Sequence, residues 1–195
     1  MTFRYELALV DLDPPVWDWP MVLAWLAFAC VAFWLLRSLA TLLHELGHVI
    51  PALLLTSEEV ELQVGRTNSG RKGKSGQLEI EADDEAISWR KWGRLRWTCS
   101  FPRGVEGFTG YDRESLGKWE LLLVIAGGPV VSSLASGLGA WLTFEVLEET
   151  WERVSALAFL CANLNLFLRS MVPVTLRNGK PSDGLDFWKS LWQAR

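Results

Sequence analysis

Histidine is almost absent from this chain: there are two in 195 residues, His44 and His48. A centre built from three or more imidazoles is thereby excluded, and any site that uses both must take its other ligands elsewhere. Cysteine does not supply them. The three cysteines, Cys30, Cys99 and Cys161, are odd in number and unrelated in position, which rules out a disulfide framework, and no pair has zinc-site spacing. Unopposed positive charge is also missing, with 19 Lys and Arg against 23 Asp and Glu for a net charge of −4, so a nucleic-acid role is not expected. The first apolar stretch is too long for a cleaved signal peptide and lacks a basic flank and a small-residue cleavage site, and it is read as mature structure.

The two histidines fall in one pentapeptide, His44-Glu45-Leu46-Gly47-His48. This is the H-E-x-x-H pattern. At spacing i, i+4 both imidazoles project from one helix face and can share a tetrahedral metal, while the glutamate between them is placed to take a proton from an attacking water. The motif lies in an apolar stretch, where an ionisable group is expensive and is read as functional.

Half the residues, 50%, are hydrophobic, yet the mean hydropathy is only +0.15, so long apolar segments are balanced by a sizeable polar region. The apolar segments run over 20–55, 121–146 and 154–174, each long enough to cross a bilayer core of about 30 Å. The first is either one long tilted helix or two shorter spans broken at Arg37 and Ser38. Twelve tryptophans include Trp17, Trp19, Trp119 and Trp151 at the flanks of these runs, as in an interfacial aromatic belt; Trp25, Trp34 and Trp141 lie inside them, as belt or as core filling. Most Lys and Arg fall in 58–118 and after Arg169, which three crossings place together on the cytoplasmic side. The expectation is a mainly α, polytopic membrane protein, multi-pass in the cell (plasma) membrane.

The segment 56–118 is polar. Val60, Leu62 and Val64 alternate with polar residues, as do Leu78 and Ile80 beyond the glycine-rich 67–76, which reads as a β-hairpin with a flexible tip. Leu95 to Phe101 and Val105 to Tyr111 can add short strands. The basic cluster Arg71, Lys72 and Lys74 reads as a solvated loop tip or a contact for anionic lipid.

Two histidines leave a catalytic zinc site one protein ligand short, and with no third imidazole that ligand must be a carboxylate. Glu120 opens the second span as a terminal charge, and Glu145 ends it on the far side. Asp183, in Pro181-Ser182-Asp183-Gly184, follows the third span on the side where the motif end of the first span emerges. Topology selects Asp183.

In this order, His44-Glu45-Leu46-Gly47-His48, Ala126-Gly127-Gly128-Pro129 and Ser182-Asp183-Gly184 resemble the site-2-protease family of intramembrane zinc metalloproteases. The resemblance implies Zn2+ held by His44, His48 and Asp183, with Glu45 as general base. It implies hydrolysis of peptide bonds within or near transmembrane segments of membrane-anchored proteins, so that the partners are a transmembrane protein substrate and the lipid bilayer. Two features depart from the family pattern. Ser132 stands where the asparagine of Gly-Pro-x-x-Asn is usual, and Asp183 comes ten positions after Pro173 of Ser170-Met171-Val172-Pro173 rather than a handful. Asn163 and Asn165 are alternative polar contacts, or simply helix-to-helix hydrogen bonds. Pro51 either kinks the motif helix or marks its end. The small residues Gly127, Gly128, Ser132, Ser133, Ser136 and Gly137 read as close helix packing. The rival classes are a membrane zinc-binding scaffold or regulator, which has no use for Glu45, and a structural bundle in which the motif is coincidental.

Overall fold

The computed structural model describes residues 18–65, 89–99, 107–176 and 179–193. Helix α1 (Trp19–Leu55) is a single helix of 37 residues, so Arg37 and Ser38 do not interrupt it. At 1.5 Å per residue it is about 55 Å long, well beyond a bilayer core of about 30 Å. Its start follows from Asp18, whose carboxylate accepts from the Met21 amide, and from Pro20, which is preset for a first helical turn. Pro51 does not end the helix; four residues later it stops at Leu55. There the Arg94 guanidinium donates to the Leu53 and Thr56 carbonyls that the helix leaves open.

Helix α2 (Lys118–Trp141) returns antiparallel and continues as a π-helical turn, Leu142–Val146, where the Thr143 hydroxyl bonds back to the Gly139 carbonyl. Helix α3 (Thr150–Met171) runs parallel to α1 and stops just before Pro173. It begins earlier than the apolar run because Trp151, Glu152 and Arg153 form a helical first turn. All three helices are long and apolar enough to cross a membrane. Trp19, Trp119 and Trp151 are exposed near helix ends, and so are Trp34 and Trp141 within the spans, which therefore do not fill the core; Trp25 is half-buried, edge-on to Phe28.

Between α1 and α2 lies a mixed sheet of β1 (Val60–Val64), β2 (Arg90–Trp92), β3 (Leu95–Cys99) and β4 (Gly107–Gly110), in the order β2-β3-β1-β4. The expected partner of β1, around Leu78 and Ile80, lies outside the described residues, as does the 67–76 tip with Arg71, Lys72 and Lys74. Both edges of β1 are taken by other strands, β3 in parallel and β4 antiparallel. The hairpin among the described residues is β2 with β3, turning at Gly93 with φ 59°. The alternation anticipated for β1 holds: Val60, Leu62 and Val64 are buried and pack with Val49 and Ala52 of α1 and Leu121, Val124 and Ile125 of α2. The sheet is thereby seated on the motif end of α1.

A fourth helix, α4 (Asp183–Trp192), follows α3. Ser182 caps it, accepting from the Leu185 amide. The bidentate Arg113–Asp186 pair, 2.9 Å at both oxygens, ties α4 to the chain entering α2.

Candidate metal centre

Helix α1 meets α2 at two glycines whose backbones are in contact. A Cβ on Gly47 would fall 2.8 Å from the Gly127 carbonyl carbon, and one on Gly127 would fall 2.8 Å from that of Gly47 and against its oxygen. Pro51 leaves that Gly47 carbonyl without its intrahelical donor, and the Gly127 hydrogen standing in the Cβ direction faces it. At the next residue, a Cβ on Gly128 would reach 2.6 Å from His48 Cε1 and 2.8 Å from His44 Nε2. The small-residue cluster of α2 is therefore close packing, and Gly128 is also a wall of the site.

Each imidazole is held by its far nitrogen. His48 Nδ1 lies 2.7 Å from the Val124 carbonyl oxygen. A carbonyl only accepts, so Nδ1 carries the hydrogen and Nε2 of the neutral ring presents a lone pair. His44 Nδ1 lies 2.9 Å from the Ser132 hydroxyl. Both Nε2 atoms thus turn to the same point.

Asp183 arrives there from the other end of the chain. Between Pro173 and Asp183 the described residues, 174–176 and 179–182, turn back on themselves, bridged at Thr175 and Pro181. Ser182, which is buried, clamps its base: its hydroxyl donates to the Val172 carbonyl at 2.6 Å and accepts from the Val174 amide at 3.2 Å. Gly184 allows the close approach, since a Cβ there would lie 2.7 Å from the Met171 carbonyl carbon. The long spacing in sequence is therefore taken up by the loop.

Asp183 Oδ2 lies 3.1 Å from His44 Nε2 and 3.6 Å from His48 Nε2, and the two Nε2 atoms are 3.3 Å apart. Ligands about 2.0–2.1 Å from a tetrahedral zinc are separated by roughly 3.3–3.5 Å, so the triangle has the dimensions of a metal face. Burial alone raises the Asp183 carboxyl, but the adjoining His44 and His48 imidazoles outweigh it and hold the group well below the usual carboxylate range. A carboxylate oxygen and two imidazole nitrogens converging on one point are the donor set of a divalent cation. His44, His48 and Asp183 can hold a metal ion.

Glu45 is buried on the adjoining face of α1. Its Oε2 accepts from the Thr109 hydroxyl at 2.7 Å, and Thr109 stands opposite Leu62 in the β1–β4 register, on the inward face of the sheet. Two positions along, a Cβ on Gly107 would fall 2.5 Å from Glu45 Cγ. Strand β4 thus walls Glu45 with a hydroxyl and a missing side chain. On the other face of β4, the Lys180 amine sits 3.7 Å from the Phe108 ring centroid; burial pulls its pKa down, opposed by the Glu45 charge.

Glu120 and Glu145 are not brought to the site. Glu120 accepts from the Gly117 amide at 2.7 Å as a helix-capping group, and Glu145 lies in the π-helical turn at the far end of α2. Asn163 is fully buried with its amide on the Phe159 carbonyl of its own helix, and Asn165 is exposed. Ser132, Thr109, Gly107 and the Val124 carbonyl were not read from the sequence as site groups. Only Ser132 carried a signal, its place in the Gly128-Pro129 element. Comparison with protein-family models, curated proteins and solved structures gave no match.

Proposed function

We propose that this chain is an intramembrane zinc metalloprotease of the site-2-protease type, cleaving peptide bonds within or near transmembrane segments of membrane-anchored proteins. The observation that carries the reading is the triangle of His44 Nε2, His48 Nε2 and Asp183 Oδ2 with the buried Glu45 carboxylate beside it. Zinc held by His44, His48 and Asp183 would supply Lewis-acid polarisation of the scissile carbonyl and of water. Glu45 takes the proton of the attacking water and passes it to the leaving amine. The Thr109 hydroxyl fixes the carboxylate oxygen it bonds, leaving the other to receive the proton. Ser132 and the Val124 carbonyl keep both imidazoles in the ligating orientation.

A peptide bond in a helix is shielded by its own hydrogen bonds, so the substrate must unwind locally. The outer edge of β4 has no strand partner among the described residues and lies against Glu45. It therefore offers main-chain hydrogen bonds to an extended segment, a mode that needs no particular sequence.

The test is zinc content of detergent-purified protein with cleavage of a reconstituted transmembrane substrate, in wild type, Glu45→Gln and Asp183→Ala. About one zinc per chain, retained by Glu45→Gln while cleavage falls by roughly a thousandfold or more, and weakened in Asp183→Ala, is expected. Zinc retained with cleavage unaffected by Glu45→Gln sinks the catalytic assignment. Zinc without cleavage of any membrane substrate leaves the metal-dependent scaffold.

A further inference from the structure

A second polar feature lies within the spans and takes no part in the chemistry above. Between α1 and α3 is a cavity of about 210 Å³, lined by Phe33, Arg37, Thr41, Asn165, Leu166 and Arg169. The Arg37 Nε is buried and has no hydrogen-bond partner. Neither Arg37 nor Arg169 pairs with a carboxylate among the described residues, and no acid lines the cavity. Two arginines lining one cleft without a counter-charge, one of them with a buried and unpartnered guanidinium nitrogen, favour an anion there, since like charges near low dielectric are costly unless neutralised.

Position decides which anion. Helix α3 has 22 residues, about 33 Å, close to the thickness of a bilayer core. Arg169, in its last turn, therefore lies at one boundary of the hydrocarbon, at the depth of the phosphate groups. Asn165 and Arg169 are exposed on the outside of the bundle, so the cleft opens sideways, toward lipid. Its volume is below the roughly 300–1,000 Å³ of a pocket for a whole small molecule, which suits a headgroup whose acyl chains remain outside. Phe33 and Leu166 provide apolar walls for the first part of those chains. Among the described residues, the same end of the bundle carries most of the Lys and Arg, and the leaflet such regions face is the one rich in acidic lipid.

We propose that this cleft binds the phosphate of an acidic phospholipid between Arg37 and Arg169. Arg37 shares the helix face of His44 and His48, about two and three turns away, so a lipid bound here ties the motif helix to α3 without touching the metal ligands.

The experiment is native mass spectrometry and thermal unfolding of the delipidated full chain with phosphatidylglycerol, with phosphatidylcholine of identical chains, and with inorganic phosphate. Wild type should retain phosphatidylglycerol over phosphatidylcholine by roughly 10- to 30-fold, as two basic contacts supply. The preference should fall to near unity in Arg37→Gln/Arg169→Gln, survive in Arg37→Lys/Arg169→Lys, and be unchanged in Arg90→Gln on the sheet. Equal retention of both lipids by wild type, or an undiminished preference in a folded double Gln variant, overturns the proposal. So does stabilisation by millimolar inorganic phosphate alone, which would make the site one for a free anion. Because no arm reads proteolysis, the result stands apart from the fate of the protease assignment.

Discussion

The two halves of α1 belong to one unbroken helix but are built for different surroundings. From Trp19 to Leu36 the exposed side chains are apolar, among them Leu23, Leu26, Val31 and Leu35, and the half-buried positions Val22, Trp25, Ala29, Ala32 and Leu36 form one helical stripe. From Ser38 to Leu55 the pattern inverts: Ser38, Thr41, His44, Glu45 and His48 are buried, while Leu39, Ile50 and Leu54 point outward. In water such a helix would be inside out. In a bilayer the exposed apolar surface needs no protein partner, and the polar residues must find theirs inside. The hydrophobicity of the first half therefore reports lipid contact, and the buried polarity of the second half reports the site.

This contrast can be broken most severely at the helix crossing. Gly128→Val places methyl groups into His44 and His48, so zinc binding should be lost outright, read as metal content of a chain that still inserts. In the first half, Leu26→Asp should reduce membrane insertion by about 2.5–3.5 kcal/mol in a translocon assay if that surface faces hydrocarbon; a neutral result would put it in water. Ser132→Ala removes the hydroxyl at His44 Nδ1 and should weaken zinc affinity by roughly 10- to 100-fold, measured by chelator competition. Leu26→Met, by contrast, should leave thermal stability within about 0.5 kcal/mol. If Leu26→Met proves as damaging as Ser132→Ala, the two halves are not distinct in the way described.

Much of this was legible in the sequence because it is periodic or local. The spans follow from run length, β1 from the alternation of Val60, Leu62 and Val64, and the imidazole pair from the spacing of His44 and His48. Asp183 was reachable by topology, since an odd number of crossings brings it to the motif end of α1. What escaped depends on packing between distant segments. Thr109 and Gly107 meet Glu45 only because β4 pairs with β1 in one register, and nothing in Gly107-Phe108-Thr109-Gly110 announces that register. The partner of β1 was misassigned for the same reason: alternation identifies a strand but not its neighbour. Helix α4 did carry a local signal, Ser182 as N-cap before an amphipathic run, which the weight placed on Asp183 as a ligand obscured.

The distance along the chain between His44 and Asp183, 139 residues, gives the centre an order of events. A growing polypeptide displays both imidazoles and the Glu45 carboxylate long before the third ligand has been synthesised, and Asp183 is positioned only once α3 is in place and the Ser182 loop has closed. The meeting of the three side chains that can hold a metal ion is thus the last act of assembly, and a bundle that has not finished folding offers only two of them.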